Sequence, residues 1–116
     1  MAFQISTKEK EGTLVVSLSG SLDTLFAEDL KTAFGQVLRT GKKRIVLNLK
    51  GVKYVASSAI RAFLYLGKAL QQSQGALRIA EVSPKVLEVF RMVGLGTAIP
   101  IFDSLTDALE GFGDLE

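Results

Sequence analysis

The stretch Arg44–Ile60, RIVLNLKGVKYVASSAI, joins two kinds of pattern at one point. RIVLNL is a short apolar run, the signature of a strand buried on both faces in a parallel sheet. After Ser57 and Ser58 the apolar residues change to helical spacing, and that pattern holds to about Gln72 before Gly75 ends it. A buried strand delivered into a helix is one half of a βαβ crossover. The fold therefore turns on whether the same alternation recurs on either side.

It does. Downstream, ALRIAEV forms another strand. Ser83-Pro84 then sets a cap and a first-turn proline for the helix PKVLEVFRMV, which Gly94 stops. AIPIF gives a weak last strand with Pro100 marking an edge, and DSLTDALEGF a last helix capped by Asp103 or Ser104. Upstream, Phe3, Ile5 and Thr7 alternate with polar residues, Lys10-Glu11-Gly12 turns the chain, and Leu14, Val16 and Leu18 alternate again. These two runs predict an antiparallel hairpin. Between hairpin and central strand, Phe26, Leu30, Ala33, Phe34, Val37 and Leu38 predict a helix. Asp23 or Thr24 caps it, Glu28 and Asp29 lie at its positive end, and Gly41 stops it. The expectation is one α/β domain over residues 1–116: a mixed sheet of four to five strands, mostly parallel after an N-terminal hairpin, with about four helices.

Composition narrows the function. Of 116 residues, 47% are hydrophobic and 22% charged, as expected of a globular domain, and the net charge of +2 is too small to argue for nucleic acid. There is no cysteine and no histidine, which removes disulfides, thiolate chemistry and the commonest general base and metal ligand. No apolar run reaches the roughly 18 residues of a membrane helix, and no signal peptide is evident. A cytoplasmic domain with no catalytic residues, no cofactor and no metal is expected.

Ser57 and Ser58 admit two readings. Either hydroxyl at a helix start can act as an N-cap, worth about 1 kcal/mol. A nucleophilic role lacks a base beside the pair, and GVKYVASSA lacks the glycines and lysine of a phosphate loop. The remaining functional reading is serine as a substrate of another enzyme. On the helix that follows, Ile60, Phe63, Leu64, Gly67 and Leu70 should face the sheet. Ser58, Arg61, Tyr65, Lys68 and Gln72 should face water, while Ala62, Leu66 and Ala69 form an apolar shoulder for a neighbouring helix or for a partner.

The whole chain resembles a STAS domain, the fold of bacterial anti-sigma factor antagonists. LVVSLSGSLDTLFAEDLKTAF is similar to that family's strand–Gly–x–Leu–Asp–helix signature. RIVLNLKGVKYVASSAI resembles its central strand and serine switch, and VFRMVGLGTAIPIFDSLTDAL its closing elements. At the switch the family has aspartate, serine or threonine, any residue, then glycine; here the positions read Ala56, Ser57, Ser58, Ala59. The resemblance implies a protein-binding module that docks on an anti-sigma factor which is also a serine kinase. Phosphorylation would fall on Ser57, less readily on Ser58, and a serine phosphatase would reverse it. The implied partner surface takes in Asp23, Ser57, Ser58, Arg61, Ala62, Tyr65 and Leu66, with Lys53, Arg61 and Lys68 adding positive charge. Nucleic acid and membrane insertion are not implied, and the apolar shoulder permits a homodimer. Two other readings are an unswitched STAS scaffold or subunit in a transport or lipid-handling complex, and a small nucleotide-binding enzyme.

Overall fold

The computed structural model describes residues 3–112. The hairpin comes first, as β1 (Phe3–Lys10) and β2 (Thr13–Leu22). Lys10 pairs with Thr13, so Glu11 and Gly12 alone make the turn, with φ of 52° and 79°. Two left-handed residues in a two-residue loop are the I′ geometry that matches strand twist, and its preferred first residue is asparagine. Glu11→Asn should therefore raise stability by about 0.5–1 kcal/mol, read as a higher denaturant midpoint at unchanged slope.

A 3₁₀ turn at Thr24–Phe26 leads into α1 (Ala27–Arg39). Then follow β3 (Arg44–Val55), α2 (Ser57–Gln72), β4 (Ala76–Ala80), α3 (Pro84–Val93), α4 (Leu95–Ala98), β5 (Ile101–Phe102) and α5 (Leu105–Leu109). The five strands lie in the order β1-β2-β3-β4-β5; the first pair is antiparallel and the rest are parallel. The mixed sheet matches the expected fold, with five α-helices among the described residues rather than about four. The additional one is α4, which takes up Leu95–Ala98, so the last strand keeps only Ile101 and Phe102 of the expected AIPIF run. Gly94, at φ 70° and ψ 28°, both ends α3 and starts α4.

One face of the sheet packs against α1, α2 and α3 around Phe34, Phe63 and Phe90, all fully buried. The other face carries a smaller core of Val15, Val46, Ala80, Ala108, Leu109 and Phe112 under α5. Arg78 fastens that second layer. Its guanidinium lies 4.1 Å from the Phe112 ring centroid and 5.0 Å from that of Phe102, and it donates to the Ala108 carbonyl at 2.9 Å. Desolvation under the rings draws its pKa below the usual arginine value.

The central strand is longer than the RIVLNL run. β3 continues through Lys50–Val55, because two bulges each insert one extra residue opposite β2: Ser17 and Ser19 face Asn48 and Gly51, and Gly20 and Ser21 face Val52 and Tyr54. The first bulge requires glycine. A Cβ on Gly51 would stand 2.7 Å from the Ser19 Cβ, a contact neither backbone can yield cheaply. Gly51→Ala should cost roughly 1–3 kcal/mol, and a double-mutant cycle with Ser19→Gly should return most of that loss.

Candidate functional site

The two bulges bring the end of β3 level with the end of β2. Leu22 pairs with Val55, and the Ala56 N–H donates to the Leu22 carbonyl at 2.9 Å, so the loop after β2 and the loop after β3 lie side by side. In the first loop, Asp23 accepts the Leu25 N–H at 2.9 Å. That is the expected capping role, although the element it caps is the 3₁₀ turn and α1 begins beyond it with no side-chain cap at Phe26. In the second loop, Ala56 is extended (φ −81°, ψ 163°) and α2 starts at Ser57.

This corrects the capping reading of the serines. Ala56 is the cap position and has no side-chain oxygen, so Ser57 and Ser58 are the first and second helical residues. Ala59 and Ile60 donate to the Ala56 carbonyl. Among the described residues, no side chain accepts from the first-turn N–H groups of α2, and no acidic residue lies in that turn. An uncapped helix start keeps its partial positive charge for an anion supplied from outside. Ser57 is exposed. Ser58 is half-buried, and its Oγ is enclosed without a hydrogen-bond partner, so it contributes neither cap nor bond.

The flanking alanines point inward. Ala56 is buried, and Ala59 keeps 1% of its surface and packs in the main core. The Ala59 methyl is therefore turned inward, and it adds no bulk to the surface beside Ser57. What it does supply is helix propensity, about 1 kcal/mol over glycine.

Of the other expected surface residues, Arg61 and Tyr65 are exposed and Asp23 is half-buried. Together with Ser58, Glu28 and Lys31 of α1, Arg61 and Tyr65 line a cleft of about 330 Å³ between α1 and α2. Ala62 is buried in its floor. Leu66 is 0% exposed, out of reach of a docking surface. The helix α1 covers the shoulder to which Ala62 and Leu66 belong, which also withdraws that shoulder as ground for a homodimer. The sheet-facing set is corrected at Leu64, which is 40% exposed.

Two apolar side chains at this end of the sheet were missed from the sequence. Leu25 is 82% exposed on the 3₁₀ turn, and Tyr54 is exposed three residues before Ser57. The signal for Leu25 was its position: it is out of phase with the buried Leu30, Phe34 and Val37 of the following helix. Fully exposed leucine beside a polar loop is the kind of anchor a protein interface uses.

The chain is an α/β domain with an accessible hydroxyl and an uncapped helix start at the strand ends, and residues 4–108 match the STAS domain family. The chain belongs to that family. It is 32% identical over 102 residues, 88% of each chain, to BtrV of Bordetella bronchiseptica, provisionally named an anti-sigma factor antagonist. It is 30% identical over 110 residues, 94% of each chain, to the anti-sigma F factor antagonist of Paenibacillus polymyxa. The fold is similar to an anti-sigma factor antagonist from Mycobacterium paratuberculosis (TM-score 0.82, 22% identity, 95% of this chain and 93% of that one). It is also similar to Bacillus SpoIIAA in its phosphorylated form (TM-score 0.68, 24% identity, 94% and 97%). Among the described residues no helix is long and apolar enough to cross a membrane.

Proposed function

We propose that this chain is an anti-sigma factor antagonist, docking through the loop end of its sheet on an anti-sigma factor and switched by phosphorylation of Ser57. The observation that carries this reading is an exposed hydroxyl at the first position of an uncapped sixteen-residue helix. The names of its relatives supply the class of partner.

In the unmodified state, Ser57, Leu25, Tyr54 and the cleft residues Arg61 and Tyr65 form the contact. The partner is an anti-sigma factor with serine kinase activity. Its docking here frees the sigma factor it otherwise holds. The kinase transfers the γ-phosphoryl group of ATP to the Ser57 Oγ: an O–P bond forms there, the bond to ADP breaks, and the hydroxyl proton passes to a base on the kinase. The product carries about −1.5 to −2 charge. In the free domain the free N–H groups of α2 stabilise that charge. In a closed interface it must be desolvated against a surface fitted to a neutral hydroxyl, and the complex is lost. A serine phosphatase restores it.

A second reading rests on Ala56 and Ala59, which stand where the family motif has aspartate and glycine. In that reading the domain is an unswitched STAS scaffold or a subunit of a transport or lipid-handling complex. Incubation with ATP and the serine kinases encoded beside this chain separates the two. The switch predicts one phosphate, located to Ser57 by fragmentation mass spectrometry and absent from Ser57→Ala. A chain that none of these kinases modifies, yet which co-purifies with a membrane complex, favours the scaffold.

A further inference from the structure

We propose that the unpaired edge of β4 at Gly75–Leu77, where Leu77 itself keeps 5% of its surface, receives an extended, acidic peptide segment of a partner protein by strand addition. The site lies along the C-terminal half of α2, away from Ser57.

The sheet stops short here for an identifiable reason. β5 pairs with β4 only at Ile79 and Ala80. The Ile79 N–H donates outward to the Pro100 carbonyl at 2.9 Å, whereas the Ala76 N–H donates inward to the Lys43 carbonyl at 2.8 Å. Backbone groups alternate along a strand, so Leu77 presents both N–H and C=O on the β5 side. Pro100 stands opposite and has no N–H to give. Among the described residues no backbone acceptor meets the Leu77 N–H on that side. A donor and an acceptor on one residue, with the Gly75 carbonyl one step behind, are the complement of another peptide backbone.

The edge opens into a groove of about 550 Å³. Four consecutive residues, Gly75 to Arg78, line it, so it follows the strand edge and not one face of the sheet. Its wall is one stripe of α2, Leu64, Gly67, Lys68 and Gln71, at helical spacing. At Gly67 a Cβ would meet Ile99 at 3.5 Å and Leu77 at 3.6 Å, ordinary contact distances, so the helix packs closely on both. Phe112 also lines the groove, with Ala98 to Pro100. Among the described residues the lining carries the cation of Lys68 and, already held by the Ala108 carbonyl and two rings, that of Arg78, and it holds no carboxylate. A strand seated here would turn alternate side chains to opposite faces of the sheet, acidic ones toward Lys68 on α2 and apolar ones toward Phe112 on the other face.

The test uses an N-acetylated, C-amidated six-residue peptide of alternating valine and glutamate, titrated into the full chain and followed by amide NMR. The expected result is saturable shifts at Gly75–Leu77 and Leu64–Gln71, and amide exchange at Leu77 slowed about tenfold or more. N-methylation of alternate peptide bonds, or replacement of glutamate by lysine, should each weaken binding about tenfold. Lys68→Glu, a change at an exposed position, should invert the preference in favour of the lysine peptide. Three results would overturn the proposal: no shift at millimolar peptide; equal binding of the N-methylated peptide, or displacement by decanoate alone, which would mark a small-molecule pocket; or a chain that is already dimeric with Leu77 protected, which would assign the edge to a second copy.

Discussion

Ser57→Asp should bind the cognate anti-sigma factor at least a hundredfold more weakly than the unmodified chain, while Ser57→Ala stays within a few-fold. The argument is electrostatic. Ser57 is exposed at the head of α2, so a carboxylate there is well solvated and met by free N–H groups when the domain is alone. Folding is not penalised. Binding requires that the charge be stripped of water, and about 3 kcal/mol of uncompensated desolvation is more than a hundredfold in affinity. Calorimetric titration of the three proteins against the anti-sigma factor measures this directly. Equal affinity of Ser57→Asp and the unmodified chain would mean that the serine lies outside the interface. The neighbouring Ser58 supplies a control: its hydroxyl is enclosed and unbonded, so Ser58→Ala should leave affinity unchanged.

Phe63→Ala should have the largest effect on stability, about 3–5 kcal/mol. Phe63 is fully buried in the middle of α2, its ring centroid 6.0 Å from that of Phe34 on α1 and 6.1 Å from that of Phe90 on α3. One ring therefore joins all three helices on that face of the sheet, and its removal leaves a cavity that none of them can fill alone. In a domain whose whole stability is of order 5–15 kcal/mol, this is a major fraction. Phe63→Leu keeps most of the volume and should cost no more than about 1.5 kcal/mol. Urea denaturation of both variants checks the pair; a loss for Phe63→Ala no greater than that for Phe63→Leu would show that the three-ring contact contributes little.

The parts of the fold legible in the sequence are those governed by local chemistry. Glu11-Gly12 makes the hairpin turn, Ser83 accepts from Val86 at the start of α3, Ser104 accepts from Asp107 at the start of α5, and Gly94 takes the left-handed conformation that ends α3. Apart from Glu11, each of these residues is of a type suited to its backbone geometry. What was hidden depended on distant partners. The second half of β3 buries Leu49, Val52 and Val55, a spacing of three that follows neither strand nor helix periodicity, because the bulges are set by Gly51 meeting Ser19. Helical phase alone leaves the shoulder of Ala62, Leu66 and Ala69 open to either a neighbouring helix or a partner, and only the packing of α1 buries Leu66. Serine at a helix start suits a capping role as well as a modified one, and only the extended backbone at Ala56 places both serines inside the helix.

The bond from the Ala56 N–H to the Leu22 carbonyl, with Ala56 and Ala59 packed inward, holds the head of α2 to the sheet on both sides of Ser57. A seat held that firmly does not have to rearrange when it is modified. The tempo of such a signal would then belong to the enzymes that write and erase it, and the domain itself would add no delay.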